Sequence, residues 1–188
     1  LIEAAAASNP DGIIVSLPDA AALGPAIKSA VADGIPVVTI NSGLESSAEL
    51  GALMHVGQPE RDAGEAAGSR AAAEGVTNGL CLNQEAFNTA LVDRCEGYFA
   101  GVGGDLNMID VSNDPAQIET RTAAALQADP SIDGVLAVGP HVCEAATKAI
   151  DAVGADVHLA CFDLSPGVMD MIEDGRASFT IDQQQRLQ

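Results

Sequence analysis

Asn41, the 83–88 loop with Asn88, Arg94 just beyond it, Asn113, Asp163 and Gln183 are the residues whose types and places in this chain suggest chemistry. Most of them follow a short apolar run, where an extended segment ends. A carboxylate accepts hydrogen bonds, a guanidinium donates them, and an amide does both. A set containing all three can match hydroxyl groups, which donate and accept at once, and an analogue lacking one hydroxyl would leave a buried group unpaired. The chemistry on offer is recognition of a small polyhydroxylated molecule. Taken singly, each residue has a plain structural role open to it, since Asx residues after strands cap helices and a helical arginine is usually solvated.

Nothing in the sequence composes a catalytic group. There is no GxGxxG, P-loop or HExxH, and VGGDLN at 102–107 is too loose to cradle a phosphate. His55, His141 and His158 fall in strands or at a helix start, where structural roles are the rule. The four cysteines, Cys81, Cys95, Cys143 and Cys161, show no CxxC spacing. That disfavours zinc and leaves disulfides or buried thiols. Cys81 closes a strand and Cys95 lies in the next helix, so a Cys81–Cys95 bridge and a pair of small buried hydrophobes both remain open. No catalytic residue, metal or cofactor is expected.

Composition narrows the partners. With 27 acidic against 8 basic residues the formal charge is −19, so a polyanion is repelled and nucleic-acid binding is not expected. The longest apolar stretches are about half of what a bilayer-spanning helix needs, which argues against membrane insertion. A hydrophobic content of 47% over 188 residues suffices for a sizeable core.

The elements that must position the polar residues come in copies. AIKSAVADGIPVVTINS at 26–42 and AATKAIDAVGADVHLACFDLSP at 145–166 share a pattern of Ala-rich helix, glycine stop, apolar run and polar strand end, with Asn41 in one where Asp163 stands in the other. Both follow similar lead-ins, SNPDGIIVS at 8–16 and DPSIDGVLAV at 129–138. Such long self-similarity indicates duplicated architecture. The run at 13–17 reads as a strand buried on both faces of a parallel sheet. Asp19, Asp114 with Pro115, and Ser165 with Pro166 read as helix starts, and Gly34 and Gly175 as stops. Residues 45–50 read as a surface connection. The fold class is α/β, with two doubly wound parallel-sheet lobes joined by a hinge. Residues 1–58 form the closing part of an incomplete first lobe, 59–182 the second lobe, and 183–188 a crossing back toward the first. Because the second copy is preceded by two strand–helix units that the first lacks, the chain is expected to be a fragment.

PDGIIVS, GIPVVTINSG, HVGQPERDAGEAAG, NQEAFNTALVDRCEGY, DPSIDGVLAVGP and FDLSPGVMDMIEDGRASFTIDQQQ together resemble the successive segments of type I periplasmic sugar-binding proteins of ABC transporters, the ribose-binding-protein-like family. The resemblance covers essentially the whole chain. It implies two lobes closing by a hinge on a monosaccharide or related polyol, with hinge crossings at 57–59 and 182–184. It places ligand-binding roles on Asn41, Arg94, Asp163 and Gln183, and by position on Ser42, Asn88, Asn113 and Gly139. Where ribose binders carry Asp then Arg, this chain has Asn41 then Ser42, and where they carry Asn it has Gly139 followed by Pro140. An aromatic expected near Asn113 is missing, which bears on which sugar is bound. The resemblance further implies a monomer outside the cytoplasm, periplasmic or lipid-anchored outside a single-membrane bacterium, that presents its ligand to a membrane permease. The alternatives are the effector-binding domain of a regulator similar to the lactose and ribose repressors, and a cytosolic α/β sugar enzyme using Asp163 or Asp182 as base.

Overall fold

The computed structural model describes residues 1–184. The chain forms two compact units. Leu1–Pro59, with Phe87–Ala90 and Gln184, makes up the first, and Glu60–Ala86 with Leu91–Gln183 the second. Residues 185–188 of the crossing expected at 183–188 lie outside the described residues.

The first unit runs α1 (Ile2–Ala6), β1 (Ile13–Ser16), α2 (Ala20–Ala32), β2 (Val37–Ile40), α3 (Leu44–Ser47) and β3 (Met54–Val56). Its strands form a parallel sheet in the order β1-β2-β3. Asp19 opens α2 by accepting from Ala22 N at 2.9 Å, which satisfies one of the amides that a helix start leaves without a partner. Ile13 and Val37 point toward Ile27 and Ala30 of α2, and Leu50 completes this core. The opposite face is different. Ile14, Val38 and Met54 pair across the three strands in one row, and Ile14 is 71% exposed. Two departures from the sequence reading follow. Among the described residues β1 is covered on one face only, where the sequence reading expects burial on both. Residues 45–47 of the expected surface connection belong to the short helix α3.

The second unit alternates strictly: α4 (Glu60–Ala73), β4 (Gly79–Asn83), α5 (Thr89–Val102), β5 (Met108–Asp110), α6 (Pro115–Ala128), β6 (Gly134–Ala137), α7 (Pro140–Val153), β7 (His158–Phe162), α8 (Pro166–Glu173) and β8 (Phe179–Ile181). All five strands are parallel, in the order β5-β4-β6-β7-β8. Alternate side chains of the central strands enter two separate cores. Leu80, Leu82, Val135, Ala137 and Leu159 meet α6, α7 and α8 on one face. Cys81, Leu136, Val138, Ala160 and Phe162 meet α4 and α5 on the other. Each face carries one disulfide from strand to helix. Cys81 of β4 joins Cys95 of α5 with Cα atoms 5.7 Å apart, and Cys143 of α7 joins Cys161 of β7 at 5.9 Å.

Helices α4 and α5 touch backbone to backbone. A Cβ placed on Gly64 or Gly68 would overlap the main chain at Arg94 or Tyr98, and one on Gly97 or Gly101 would overlap the main chain at Arg61 or Glu65. Glycine weakens a helix interior by about 1 kcal/mol relative to alanine, a cost accepted here for closeness. Asp114 and Ser165 cap α6 and α8 by accepting from Gln117 N and Val168 N.

Candidate ligand-binding site

In an open parallel sheet ligands bind beyond the carboxyl ends of the strands, where successive connections leave in opposite directions. In the second unit that point lies between β4 and β6, because the chain passes from β4 outward to β5 and then returns to β6. Gln84 follows β4 and Gly139 follows Val138 at the end of β6. The two loops are close, since a Cβ on Gly139 would lie 2.9 Å from Gln84 Nε2.

Arg94 comes to this point from α5. It is 3% exposed, and its Nη1 donates to Val138 O at 2.9 Å. Its Nε and Nη2 donate to the two carboxylate oxygens of Glu60 at 2.7 and 3.0 Å, and the guanidinium carbon lies 4.4 Å from the Phe162 ring centroid. Nη1 is also 3.6 Å from Asp163 Oδ2. A guanidinium has five N–H groups. With Nε given over to Glu60, at most one N–H each on Nη1 and Nη2 can meet a ligand, so Arg94 does not offer the free fork that its sequence setting suggests.

Asp163 stands at the end of β7 with φ 67, a left-handed backbone that Asp and Asn tolerate better than most residues. Its N–H donates to Ile181 O at 2.7 Å, and its own carbonyl accepts from Thr180 Oγ1 at 2.7 Å. Burial pushes its carboxyl above the usual range, against the opposing charge of Arg94 and a hydrogen bond from the Gln183 side chain. Glu60 is pushed up by burial in the same way, opposed by its hydrogen bond and charge interaction with Arg94. Arg94, Asp163 and Gln183 are therefore brought together, with Glu60 behind them.

Asn113, beyond β5, is exposed; its Nδ2 donates to Glu85 Oε1 at 3.3 Å, and its Oδ1 lies 3.1 Å from His141 Nε2. In the first unit Asn41 closes β2 with φ 61, and its N–H donates to Val56 O at 3.0 Å. Ser42 is buried, and its carbonyl accepts from Leu17 N at 3.2 Å. Asn88 caps the start of α5 by accepting from Ala90 N at 3.2 Å, while Thr89 N donates to Pro18 O at 3.1 Å. Sequence reasoning passed over Glu60 and His141 as members of this edge, and singled out Asn88 rather than Gln84 within the 83–88 loop. A glutamate in a first helical turn reads as a partner of the helix dipole; Gly64, one turn further on, is the signal that could have brought Glu60 against Arg94. Among the described residues there is no cluster able to hold a metal ion, and no helix long and apolar enough to cross a membrane.

This topology is that of the periplasmic binding protein type I fold. The profile of the periplasmic binding protein domain matches residues 1–188, and the chain belongs to that family. No curated protein sequence matches it. A carbohydrate transporter from Acidothermus cellulolyticus, solved in complex with myo-inositol, is 41% identical and superposes with a TM-score of 0.93 over 97% of this chain and 64% of that one. This chain thus spans less than two thirds of that relative's length. A periplasmic sugar-binding protein from Legionella pneumophila, at 21% identity and TM-score 0.88, covers 97% of this chain and 71% of its own. A solute-binding protein from Agrobacterium vitis with bound D-fucose, at 23% and 0.83, covers 95% and 65%. The latter two likenesses are of fold.

Proposed function

We propose that this protein captures a neutral monosaccharide or cyclic polyol outside the cytoplasm, as a monomer, and delivers it unchanged to the permease of an ABC importer. The observation that carries the reading is Asp163, a half-buried carboxylate at the carboxyl edge of the second unit's sheet, flanked by Arg94 and Gln183. Such a carboxylate accepts from hydroxyl groups, and its partners hold it in place. Asn41, Ser42, Asn88, Asn113 and Gly139 complete the proposed binding set, with Gln84 and His141 added beside Gly139 and Asn113.

Membership of a family of binding proteins supports capture without turnover, as does the likeness to an inositol-bound relative. The two strand-to-helix disulfides favour an oxidising compartment over the cytosol, where a repressor domain would work. Titration calorimetry against myo-inositol, pentoses and hexoses tests the reading. A ligand that binds the wild type and is lost in Asp163→Ala, with the fold retained, is the expected result. Equal binding by both proteins would remove Asp163 from the site, and a chemically altered ligand recovered from the complex would replace capture by catalysis.

A further inference from the structure

Among the described residues Glu60 is the one acidic residue that is buried, and the proposed sugar site does not use it directly. Its side chain is 5% exposed and that of Arg94 3%. The pair is held at its distance by the glycine contacts of α4 and α5, which leave no side-chain layer between the two helices. Glu60 holds the Nε and Nη2 edge of the guanidinium, Val138 O holds Nη1, and Phe162 lies under the plane. The orientation of Arg94 is thus set from three sides before any ligand arrives.

The charges matter as much as the geometry. Arg94 is the cation of this cluster; Glu60 and Asp163 both act on it, and Asp182 adds a further negative charge acting on Asp163. Glu60 has the two short contacts with Arg94, whereas Asp163 has one at 3.6 Å. Were Glu60 absent, the fork would be free to turn to Asp163 and neutralise it.

We propose that Glu60 is a positioning residue of the sugar site. By occupying the fork of Arg94 and taking up most of its charge, it leaves Asp163 an only partly compensated acceptor, so that the site admits neutral polyhydroxylated ligands and repels sugar acids and sugar phosphates. This deepens the sugar-capture reading and rests on it for the ligand class. A purely structural Glu60 would change stability and leave ligand preference where it was.

Glu60→Gln removes the charge at constant size, and Glu60→Asp keeps the charge with a shorter reach. Both are to be compared with wild type by circular dichroism and by calorimetry with myo-inositol and D-glucuronate as the neutral and acidic probes. The Asp163 carboxyl is titrated in parallel by carbon NMR. In Glu60→Gln, affinity for the neutral probe is expected to fall by about tenfold or more, because one partner of a buried charge pair is gone. The ratio of neutral to acidic affinity should move toward the acid, and the Asp163 midpoint should move down. Glu60→Asp should weaken neutral binding without moving the ratio. A folded Glu60→Gln with unchanged affinity, ratio and midpoint overturns the proposal. If wild type binds neither probe, nor any other member of the sugar panel, the capture reading fails, and the Asp163 midpoint still decides whether Glu60 positions Arg94. Should Glu60→Gln not fold, an unmoved neutral affinity and Asp163 midpoint in Glu60→Asp would overturn it.

Discussion

Asn41 and Asp163 close equivalent strands in two copies of one motif, and their backbones match closely. Both are left-handed, at φ 61 and 67, and both donate their N–H to the last residue of the next parallel strand, Val56 in one copy and Ile181 in the other. Their surroundings differ. Asn41 is exposed and neutral, on a three-stranded sheet covered on one face; Asp163 is half-buried beside a guanidinium, on a five-stranded sheet enclosed by helices on both faces and crossed by two disulfides. Duplication preserved the turn that aims a side chain past the strand end. The identity of that side chain differs between the two copies.

The contrast can be broken at several points. Leu82 is fully buried in the second unit, and Leu82→Ala should cost about 2–5 kcal/mol in urea unfolding through the cavity it leaves. Replacing the Cys81–Cys95 pair by serines removes a link across 14 residues and should cost about 3 kcal/mol, with a similar loss for Cys143–Cys161. Thiol counting on the denatured, unreduced protein should find no free thiol. Gly68→Ala forces a methyl into the main chain at Tyr98 and should cost about 1–3 kcal/mol. Hydrogen exchange should show that loss in α4 and α5 and not in β1–β3.

Acid should act on the second unit's site. Because burial holds the Asp163 carboxyl above its ordinary range, lowering the pH protonates it earlier than a surface aspartate. Sugar affinity should then be full at neutral pH and decline as the pH falls through that raised value, with no such decline assigned to the uncharged Asn41. The smallest effect is expected at Ile14, where a Thr substitution on the open face should change stability by no more than about 0.5 kcal/mol.

Much of this was legible in the sequence for local reasons. Asp19, Asp114 and Ser165 cap helices because a short polar side chain before an apolar period has little else to do. The Asn41 and Asp163 correspondence followed from the repeat alone. What stayed hidden depends on which faces meet. The one-sided cover of β1 is invisible in IIVS, since the run says nothing of the layer opposite. The Cys143–Cys161 pairing needed the knowledge that α7 lies over the β7 face carrying Cys161. The engagement of Arg94 by Glu60 links residues 34 apart through helices whose contact only the glycines foreshadow.

Those glycines have a consequence for how such a binder can change its taste. With main chain against main chain, α4 and α5 offer no compressible padding, and nearly any added atom would shift the deep charged anchor that both helices fix. On the proposed sugar-capture reading, variation in ligand choice is thereby channelled to Gln84, Asn113 and His141, which can be exchanged while the helix pair stays put. Retuning this protein for another guest should begin there.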